Sequence, residues 1–426
     1  MNTNHSPLSA SNSQQALRLA WLIVVALWPV ALLNYLDRQM MAAMKTSMVA
    51  DIGIVSDAQW GLALGVFKWV YGVLSPFAGF VGDRFSRRYV IGLSLLVWSA
   101  ATWATGHVVT YEQLIWSRAL MGISEAFYIP TALALITDYH RGPTRSFAVG
   151  IHQIAIYVGT ILGGFAGYAA DYGSWRTVFT WCGIVGVLYA VPLLIMLRDR
   201  KNTETASEGT VDQGVQRASL STLFANRSYY LLVLYFTLPA LAGWVIRDWG
   251  PDILKQKYDL GQGLAGISAV GYVQIASFIG AFCGGWLADR AMERTIRGRI
   301  LVSAVGMTLF LPALVGIGWA PTLTIAVAFL FIFGIGWGFF DCNNMPILCQ
   351  IVRPELRATG YGIMNLVSIS CGGVADWIFG ELRDRDVSLT IIFGVFAGVA
   401  LLSVLIVLLI RPNPQLCQAE ETAATS

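Results

Sequence analysis

Twelve apolar runs, each long enough to cross a bilayer, limit this chain to a membrane-spanning helical fold. A helix needs about 20 predominantly apolar residues to span the hydrocarbon core, where its backbone polar groups must be satisfied within the segment. The runs therefore predict an all-α membrane protein with twelve transmembrane helices in two pseudo-symmetric six-helix bundles. They cover residues 19–46, 58–82, 89–107, 112–138, 146–170, 176–197, 229–252, 264–288, 299–319, 322–349, 357–380 and 388–410.

The composition excludes several classes of function. Charged residues make up 12% of the 426 residues, about half of what a soluble globular domain carries, so a soluble enzyme is excluded. The net charge of +3 gives no basis for binding nucleic acid. The chain has no phosphate-cradling glycine loop, no metal-ligand cluster and no nucleophile motif. We therefore expect neither an enzyme nor a primary pump, and no cofactor.

Polar segments divide the chain into its predicted domains. Residues 1–17 lack a basic segment and a cleavage site, so we expect them to form a tail and not a signal peptide. Residues 198–228 are polar, charged and Gly/Ser-containing, and they form a linker between the two bundles, 18–197 and 229–410. Residues 411–426 are a second polar tail.

The distribution of basic residues predicts the orientation. With both termini in the cytoplasm, 18 of the 28 Lys and Arg residues lie on the cytoplasmic side, six lie outside and four lie within spans. This asymmetry follows the positive-inside rule. We expect a multi-pass protein of the cell's inner membrane, in contact with the lipid bilayer, whose two tails and linker are cytoplasmic.

Four short patterns recur in the second half of the chain, at nearly constant offsets. Together they indicate a parallel duplication of a six-helix unit, with a substrate site between the halves. The matches are Gly79-x3-Asp83-Arg84 with Gly285-x3-Asp289-Arg290 (206 residues later), Glu125-x4-Pro130 with Asp341-x4-Pro346 (216), Arg145-x4-Gly150 with Arg357-x4-Gly362 (212), and Gly163-Gly164 with Gly372-Gly373 (209).

Two charged pairs stand inside the first bundle. Asp37 and Arg38 are adjacent in span one, and Arg118 and Glu125 are seven residues apart in span four. Seven residues are nearly two helical turns, so Arg118 and Glu125 point to one face, about 10 Å apart. A charge at the centre of a span costs at least about 2.5–3.5 kcal/mol. These residues therefore predict a functional site, although a permanent ion pair between the two spans would also explain them.

Further polar residues lie at similar depths. Lys68 lies near the midplane as an anion contact or as the counter-charge of an acid. Arg247 and Asp248 form either a pair at the outer rim of span seven or a substrate contact. Asp341, with two asparagines after it, begins a polar wall and is a candidate partner for a basic residue. The candidate substrate contacts are Tyr35, Arg38, Lys68, Tyr71, Arg118, Tyr128, Gln153, Asn343, Asn344 and Asn365.

The segment Gly79-Phe-Val-Gly-Asp83-Arg84-Phe-Ser-Arg87-Arg88 resembles the loop signature of the major facilitator superfamily. It stands between spans two and three, as in that superfamily, and its second copy is degenerate after Arg290. The resemblance implies a conformational gate in which Asp83 forms charge-assisted bonds with nearby arginines. The alternative is that the arginines only set the orientation. The gate residues would be Gly79, Asp83, Arg84, Arg87, Arg88, Asp289 and Arg290.

The sequence Asn34-Tyr-Leu-Asp37-Arg38, with Arg118-x6-Glu125, resembles the anion:cation symporter branch of that superfamily and also its spinster-like branch. Either resemblance implies that Asp37 and Glu125 change protonation and that Arg38 and Arg118 bind an anionic group. We expect a monomeric carrier that co-transports a small organic anion, such as a sugar acid, with protons. The alternatives are a proton-driven exporter of a lysolipid or other amphiphile and a ligand sensor with a transporter fold.

Overall fold

The computed structural model describes residues 7–140, 144–198 and 220–416, and within these ranges the chain forms α-helices and no β-strand. The helices of the first half are α1 (Pro7–Ala43), α2 (Lys45–Ile52), α3 (Asp57–Arg84), α4 (Arg87–Thr105), α5 (Tyr111–Glu125), α6 (Tyr128–Tyr139), α7 (Arg145–Tyr172) and α8 (Trp175–Met196). Those that follow are α9 (Leu220–Phe224), α10 (Arg227–Tyr258), α11 (Gln262–Met292), α12 (Gly298–Trp319), α13 (Leu323–Ile351), α14 (Pro354–Asp384) and α15 (Leu389–Leu409).

Within the described ranges, eleven helical segments are long and apolar enough to cross a membrane. Helices α5 and α6 together make one of them, Tyr111–Tyr139, with a short break between them. The twelfth span is α4, which has 19 residues and begins with two arginines. Those arginines and several hydroxyl-bearing residues reduce its hydropathy below that of the other spans. The predicted twelve-helix fold is confirmed.

Some boundaries differ from those predicted. Helix α1 begins at Pro7, so more than half of the predicted tail 1–17 is helical. Most of the predicted linker lies outside the described residues, and α9 occupies part of the remainder. Helix α10 continues to Tyr258, six residues beyond the predicted end of span seven, and contains Pro251. This extra length places Asp248 well inside the helix and not at its rim.

The two halves, α1–α8 and α10–α15, use the same helix pairings. Helix α1 packs on α7 as α10 packs on α14, α4 packs on α8 as α12 packs on α15, and α3 packs on α5 as α11 packs on α13. Between the halves, α3 lies along α14 and α7 lies along α11, and these two contacts are also related by the repeat. The fold therefore shows the duplication in space that the spaced motifs indicate in the sequence.

Glycines allow the two halves to approach closely. A Cβ on Gly61 of α3 would lie 2.4 Å from the carbonyl oxygen of Asp376 in α14, and one on Gly266 of α11 would lie 2.2 Å from that of Gly164 in α7. Small residues of this kind let membrane helices pack backbone against backbone. The interface between the halves is therefore built on helix contacts that larger side chains would prevent.

Ionic contacts join the halves at the face opposite the chain termini, where α3 begins and α10 and α14 end. Lys45 forms ion pairs with Asp57 of its own half, at 2.6 Å, and with Asp252 of the other half, at 2.7 Å. The carboxylate of Asp384 accepts hydrogen bonds from the backbone N–H groups of Asp57 and Ala58, both at 2.8 Å. We call this side of the molecule the closed face.

Candidate functional site

The predicted charged residues of spans one and four meet inside the first half. The Nε atom of Arg38 in α1 donates to Oε2 of Glu125 at the end of α5, at 2.6 Å. The Glu125 side chain is completely buried, and that of Arg38 is 15% exposed. Adjacent residues on a helix point about 100° apart, so Asp37 faces α4, where the hydroxyl of Thr102 donates to its carboxylate at 3.0 Å.

An aromatic cage holds the two arginines of this cluster. The guanidinium carbon of Arg38 lies 4.9 Å from the ring centre of Phe67, and that of Arg118 lies 4.6 Å from the same ring. Tyr35 and Tyr71 also face Arg38, at 4.8 and 4.7 Å. Cation–π contacts orient a guanidinium group without neutralising it. Both arginines are thereby positioned while part of their hydrogen-bonding capacity is retained.

Arg118 is the least paired cation of the cluster. It is 2% exposed, and its Nη1 contacts the sulfur of Met121 at 3.6 Å. In the described part of the chain its Nε has no hydrogen-bond partner and no carboxylate lies within ion-pair distance. The spacing of Arg118 and Glu125 on one helix face therefore does not produce an ion pair between them, because Glu125 binds Arg38. The arrangement leaves a buried guanidinium with open donors for an anion.

Lys68 of α3 forms ion pairs with two carboxylates from the other half. Its ammonium group binds Asp248 of α10 and Asp376 of α14, and the three side chains are 5%, 10% and 0% exposed. The ring of Trp244 lies 4.4 Å from the same nitrogen. Of the two sequence hypotheses for Lys68, this geometry is that of the counter-charge and not of an open anion contact.

Arg247 is not paired with its neighbour Asp248, contrary to the predicted rim pair. Because α10 is longer than predicted, Asp248 lies at the depth of Lys68 and binds it, while Arg247 lies over Trp244 at 5.2 Å. Arg247 faces the exposed carboxylate of Asp341 in α13 at more than ion-pair distance. A cavity of about 40 Å³ beside Arg247 is also lined by Gln274 and other residues of α10, α11 and α13.

The Arg247 and Asp341 arrangement repeats that of the first half. Arg247 follows Arg38 by 209 residues, and each arginine lies over the aromatic ring three positions before it. Asp341 follows Glu125 by 216 residues. The duplication has therefore placed a second arginine and carboxylate opposite the first pair, with a wider separation.

Four tyrosines lie beside the charged groups of these two sites, and we call the region that they border the central space. Tyr157 of α7 lies near Asp341, Arg247 and Gln153, and Tyr361 of α14 lies near Asp341 and Asn365. The other two are Tyr35 and Tyr71 of the cage. The structure thus brings together the predicted contacts Tyr35, Tyr71, Gln153 and Asn365 around one polar space.

Three other predicted contacts are packed inside a half. Tyr128 is fully buried, and its hydroxyl donates to the carbonyl of Leu27 and contacts Nε2 of His152 at 3.0 Å. Asn343 is 2% exposed and donates to the carbonyl of Phe339. Asn344 is 1% exposed, and its amide has no partner among the described residues. These placements favour packing roles for Tyr128 and Asn343 over contact with a substrate.

Comparison with known families agrees with this architecture. The family model of the Major Facilitator Superfamily matches residues 27–376. The chain belongs to the major facilitator superfamily. It is a multi-pass membrane transporter and not an enzyme, since the members of this superfamily are transporters.

The relatives of this chain within the superfamily have low sequence identity to it. Protein spinster of Drosophila melanogaster is 26% identical over 83% of this chain, which spans 60% of the length of that relative. The probable L-galactonate transporter of Escherichia coli is 25% identical over 86% of this chain and 84% of its own length. The crystal structure of a bacterial homolog of the human lysosomal transporter Spinster, inward-facing and unoccupied, superposes with a TM-score of 0.78. It is 21% identical and covers 93% of this chain and 99% of that one.

The superfamily's signature loop lies only partly within the described side chains. The side chain of Asp83, near the end of α3, lies outside them, so the predicted gate roles of Asp83 and Gly79 stay predictions. Arg87 forms an ion pair with Asp138 at the end of α6, within the first half. Arg84 is exposed, as are Asp289 and Arg290 at the end of α11, and Arg88 faces the ring of Tyr89 at 5.3 Å.

Sequence reasoning missed Phe67 and Asp376. Phe67 precedes Lys68, and its position on the face that meets span four is evident only once the helices are packed. Asp376 is an acid inside an apolar stretch of span eleven, the same signal that identified the other buried charges. An unpaired Lys68 in the sequence was a second reason to look for an acid there.

Proposed function

We propose that this transporter is a proton-coupled symporter of a small organic anion, such as a sugar acid or another carboxylate, which works by alternating access. The observation that carries the proposal is the Arg118 guanidinium, which is buried without a carboxylate partner in the described part of the chain. A guanidinium group binds a carboxylate through two parallel hydrogen bonds. Arg118 supplies that recognition beside an ion pair, Arg38 with Glu125, that an incoming anion can open.

Coupling follows from competition for Arg38. An anion held at Arg118 draws the neighbouring Arg38 toward its own charge and away from Glu125. Glu125 is then a completely buried carboxylate without a cation, and such a group is stabilised by binding a proton. The loaded site contains one added negative charge and one added proton, so its net charge equals that of the empty site. In this scheme the proton enters only when the anion is bound.

Asp37 is the second proton site in this proposal. One of its carboxylate oxygens accepts from Thr102, and the other has no partner among the described residues. It is 2% exposed and belongs to the same electrostatic cluster as Glu125 and both arginines. A proton on that second oxygen would neutralise the buried carboxylate of Asp37 without moving Arg38.

The hydrogen-bonding side chains that border the central space favour a hydroxylated substrate. Tyr157, Tyr361 and Asn365 offer hydrogen-bonding groups between the Arg118 site and the Arg247 site. Such groups match the hydroxyls of a sugar acid whose carboxylate is bound at Arg118. The name of the Escherichia coli relative, a probable L-galactonate transporter, supports the same substrate class.

A second candidate function is the export of an amphiphile, with protons moving in the opposite direction. It rests on an apolar cavity of about 410 Å³ between α10, α14 and α15, lined by residues that include Phe379 and Phe396. Several lining residues, such as Ile391 and Val395, are also exposed on the outer surface of the bundle, which would face lipid. It is also the function that the resemblance of the sequence to the spinster-like branch implies, and spinster proteins are among the relatives of this chain.

The cellular setting is part of the proposal. The excess of basic residues on the side of both termini favours a cytoplasmic location for the termini, and the closed face is then the outer face of an inner-membrane protein. We propose that the carrier functions as a monomer, because both charged sites are built from one chain.

Transport by purified protein in liposomes tests the proposal. We expect sugar acids or small carboxylates to accumulate only with an inward acid pH gradient, and this accumulation to disappear in Arg118→Ala. Arg385→Ala is the matched control, since that arginine is 74% exposed and lies at the closed face. If no acid is taken up while a pH gradient drives movement of a lysolipid or a cationic dye, the symport proposal is wrong and the amphiphile exporter replaces it.

A further inference from the structure

The group formed by Lys68, Asp248 and Asp376, here called the Lys68 triad, shares no residue with the proposed anion site. It joins α3 of the first half to α10 and α14 of the second. Lys68 is 11 residues from the start of α3, so the triad is about 16 Å from the closed face at 1.5 Å per residue. Three ionisable groups at this depth, all at least nine-tenths buried, need an explanation.

The charges of the triad do not balance. One ammonium group faces two carboxylates, which leaves one excess negative charge if all three are ionised. Removing an uncompensated charge from water costs several kcal/mol, and in a membrane span the penalty is of the same order or larger. The second oxygen of Asp376 also has no hydrogen-bond partner among the described residues. A single proton held between the Asp248 and Asp376 carboxyls, which are within hydrogen-bonding reach of each other, would remove the excess charge.

No other described cation forms an ion pair with a carboxylate of the triad. The charged groups that face Asp376 are Lys68 from α3 and Asp248 from α10. Arg118 of α5 is near Asp248 but makes no ion pair with it. The neighbouring Arg247 is directed toward Trp244 and Asp341. The ion pairs among the described residues therefore leave the triad one cation short, because the nearby charge of Arg118 is shared with Glu125 and Asp37 and makes no direct contact with a triad carboxylate.

The equivalent interface on the other side of the molecule has no such charges. Gln274 follows Lys68 by 206 residues, and Gln39 and Gly167 precede Asp248 and Asp376 by 209 residues each. These three lie on α11, α1 and α7, the helices that the repeat relates to α3, α10 and α14. Packing the two halves together at this depth therefore requires no ionisable group.

We propose that the Lys68 triad is a proton-binding site that links protonation to closure of the closed face. When that face is shut, the triad is dry and one of its two carboxyls holds a proton, so that its net charge is zero. When the face opens, α3 separates from α10 and α14, water reaches the three groups, and the proton leaves to that side. Each closure then takes up one proton at the triad, whatever the transported substrate is.

Distance measurements across the closed face as a function of pH test this site directly. Spin labels at Val55→Cys and Arg385→Cys, in full-length protein without its native cysteines, report the ratio of closed to open molecules in nanodiscs without substrate. Val55 and Arg385 are both exposed, and they belong to different halves. Linkage requires that this ratio changes tenfold per pH unit for each proton taken up on closure.

The variants give distinct slopes. In Asp376→Asn and in Asp248→Asn, one carboxylate with Lys68 is already neutral, so closure takes up one proton fewer. The tenfold change of the closed-to-open ratio per pH unit that the unsubstituted triad contributes near neutral pH should therefore be absent. In Lys68→Met, two carboxyls without a cation need two protons on closure, so the closed-to-open ratio should change by a further factor of ten per pH unit. Should Lys68→Met fail to fold, the two Asp→Asn variants alone decide the outcome.

Asp384→Asn is the matched control. Asp384 is also a carboxylate of α14 that contacts α3, but it is exposed and bonded to backbone N–H groups. Its substitution should change the closed fraction by the same factor at every pH. The proposal is overturned if Asp376→Asn leaves the slope unchanged, or if the closed fraction follows the sodium concentration and not pH. Neither result bears on whether the substrate is an anion, because no substrate is present.

Discussion

Glu125 and Asp341 occupy equivalent positions in the two halves, each five residues before a proline of its span, yet only Glu125 is ion-paired. Glu125 is buried and bound to Arg38 at 2.6 Å, whereas Asp341 is exposed and separated from Arg247. The duplicated arginine and carboxylate are thus ion-paired in the first half and separated in the second. The difference indicates that the two halves have taken different roles, with the first half holding the tightly coupled pair.

The anion-binding role of Arg118 predicts a large loss of affinity on its removal. Arg118→Ala should weaken binding of the transported anion about 10- to 100-fold, since hydrogen bonds to charged groups contribute about 1.5–3 kcal/mol. Arg118→Lys should recover only part of the loss, because an ammonium group lacks the planar two-point contact. Calorimetry on purified protein measures both. Equal affinity in Arg118→Ala and in the Arg385→Ala control would remove Arg118 from the site.

Coupling through Glu125 predicts that exchange and accumulation can be separated. In Glu125→Gln the residue can no longer gain or lose a proton, so substrate should still exchange across the membrane while pH-driven accumulation is lost. Liposomes assayed for counterflow and for uptake under a pH gradient measure the two activities. Glu112→Gln, in the first turn of the same helix, is the control and should retain both. Accumulation by Glu125→Gln at the control's rate would show that Glu125 does not carry the coupled proton.

The buried Arg38–Glu125 pair predicts a pH-dependent change in stability. Arg38→Met leaves Glu125 buried without a cation, and breaking such a pair costs about 3–5 kcal/mol. The folded variant then holds a proton that the unfolded chain releases at neutral pH, so its stability falls as pH rises. Its Tm should therefore be lower than that of the unsubstituted protein, and by more at pH 8 than at pH 5.

The double variant Arg38→Met/Glu125→Gln tests the cause. It removes both charges, so most of the lost stability should return and the difference between pH 5 and pH 8 should disappear. A double variant as unstable as Arg38→Met would show that Arg38 stabilises the fold through its contacts with Phe67 and the tyrosines and not through Glu125.

The second-half pair predicts an effect on selectivity without an effect on coupling. Arg247 and Asp341 face the far side of the central space and are not ion-paired. Arg247→Ala should therefore raise KM for the preferred substrate and reduce the preference among acids that differ in their far end, while the dependence on the pH gradient stays. Competition assays with a panel of acids measure the preference. Loss of pH dependence in Arg247→Ala would place a coupling role in the second half.

Sequence reasoning predicted the fold because hydropathy and repeated spacing act over long segments. Twelve spans and the duplication follow from the run lengths and from offsets such as that between Asp83 and Asp289, which do not depend on side-chain geometry. Ion-pair partners depend on that geometry. Arg118 and Glu125 share a helix face, but Glu125 forms its ion pair with Arg38 of α1.

The length of α10 was the other obstacle. The predicted span ends at residue 252, where the apolar run gives way to polar residues that include Lys255 and Lys257, whereas α10 continues to Tyr258. Hydropathy marks the end of an apolar run and not the end of the helix that contains it. Because of that extension, Asp248 lies in the Lys68 triad and not at the predicted rim. The correspondence between Arg38 and Arg247 was not evident from the predicted bounds for the same reason.

The glycine contacts at the closed face predict a variant that holds this face open. A Cβ at Gly380 of α14 would lie 2.3 Å from the carbonyl oxygen of Asp57, so Gly380→Val should prevent α14 from closing against α3. Gly394→Val in α15 is the control, because open space surrounds that Cβ position. Spin labels at Val55→Cys and Arg385→Cys should report a mainly open face in Gly380→Val and an unchanged distribution in the control. A closed face in Gly380→Val would mean that α3 and α14 shift to accommodate the side chain and that glycine there is not required for closure.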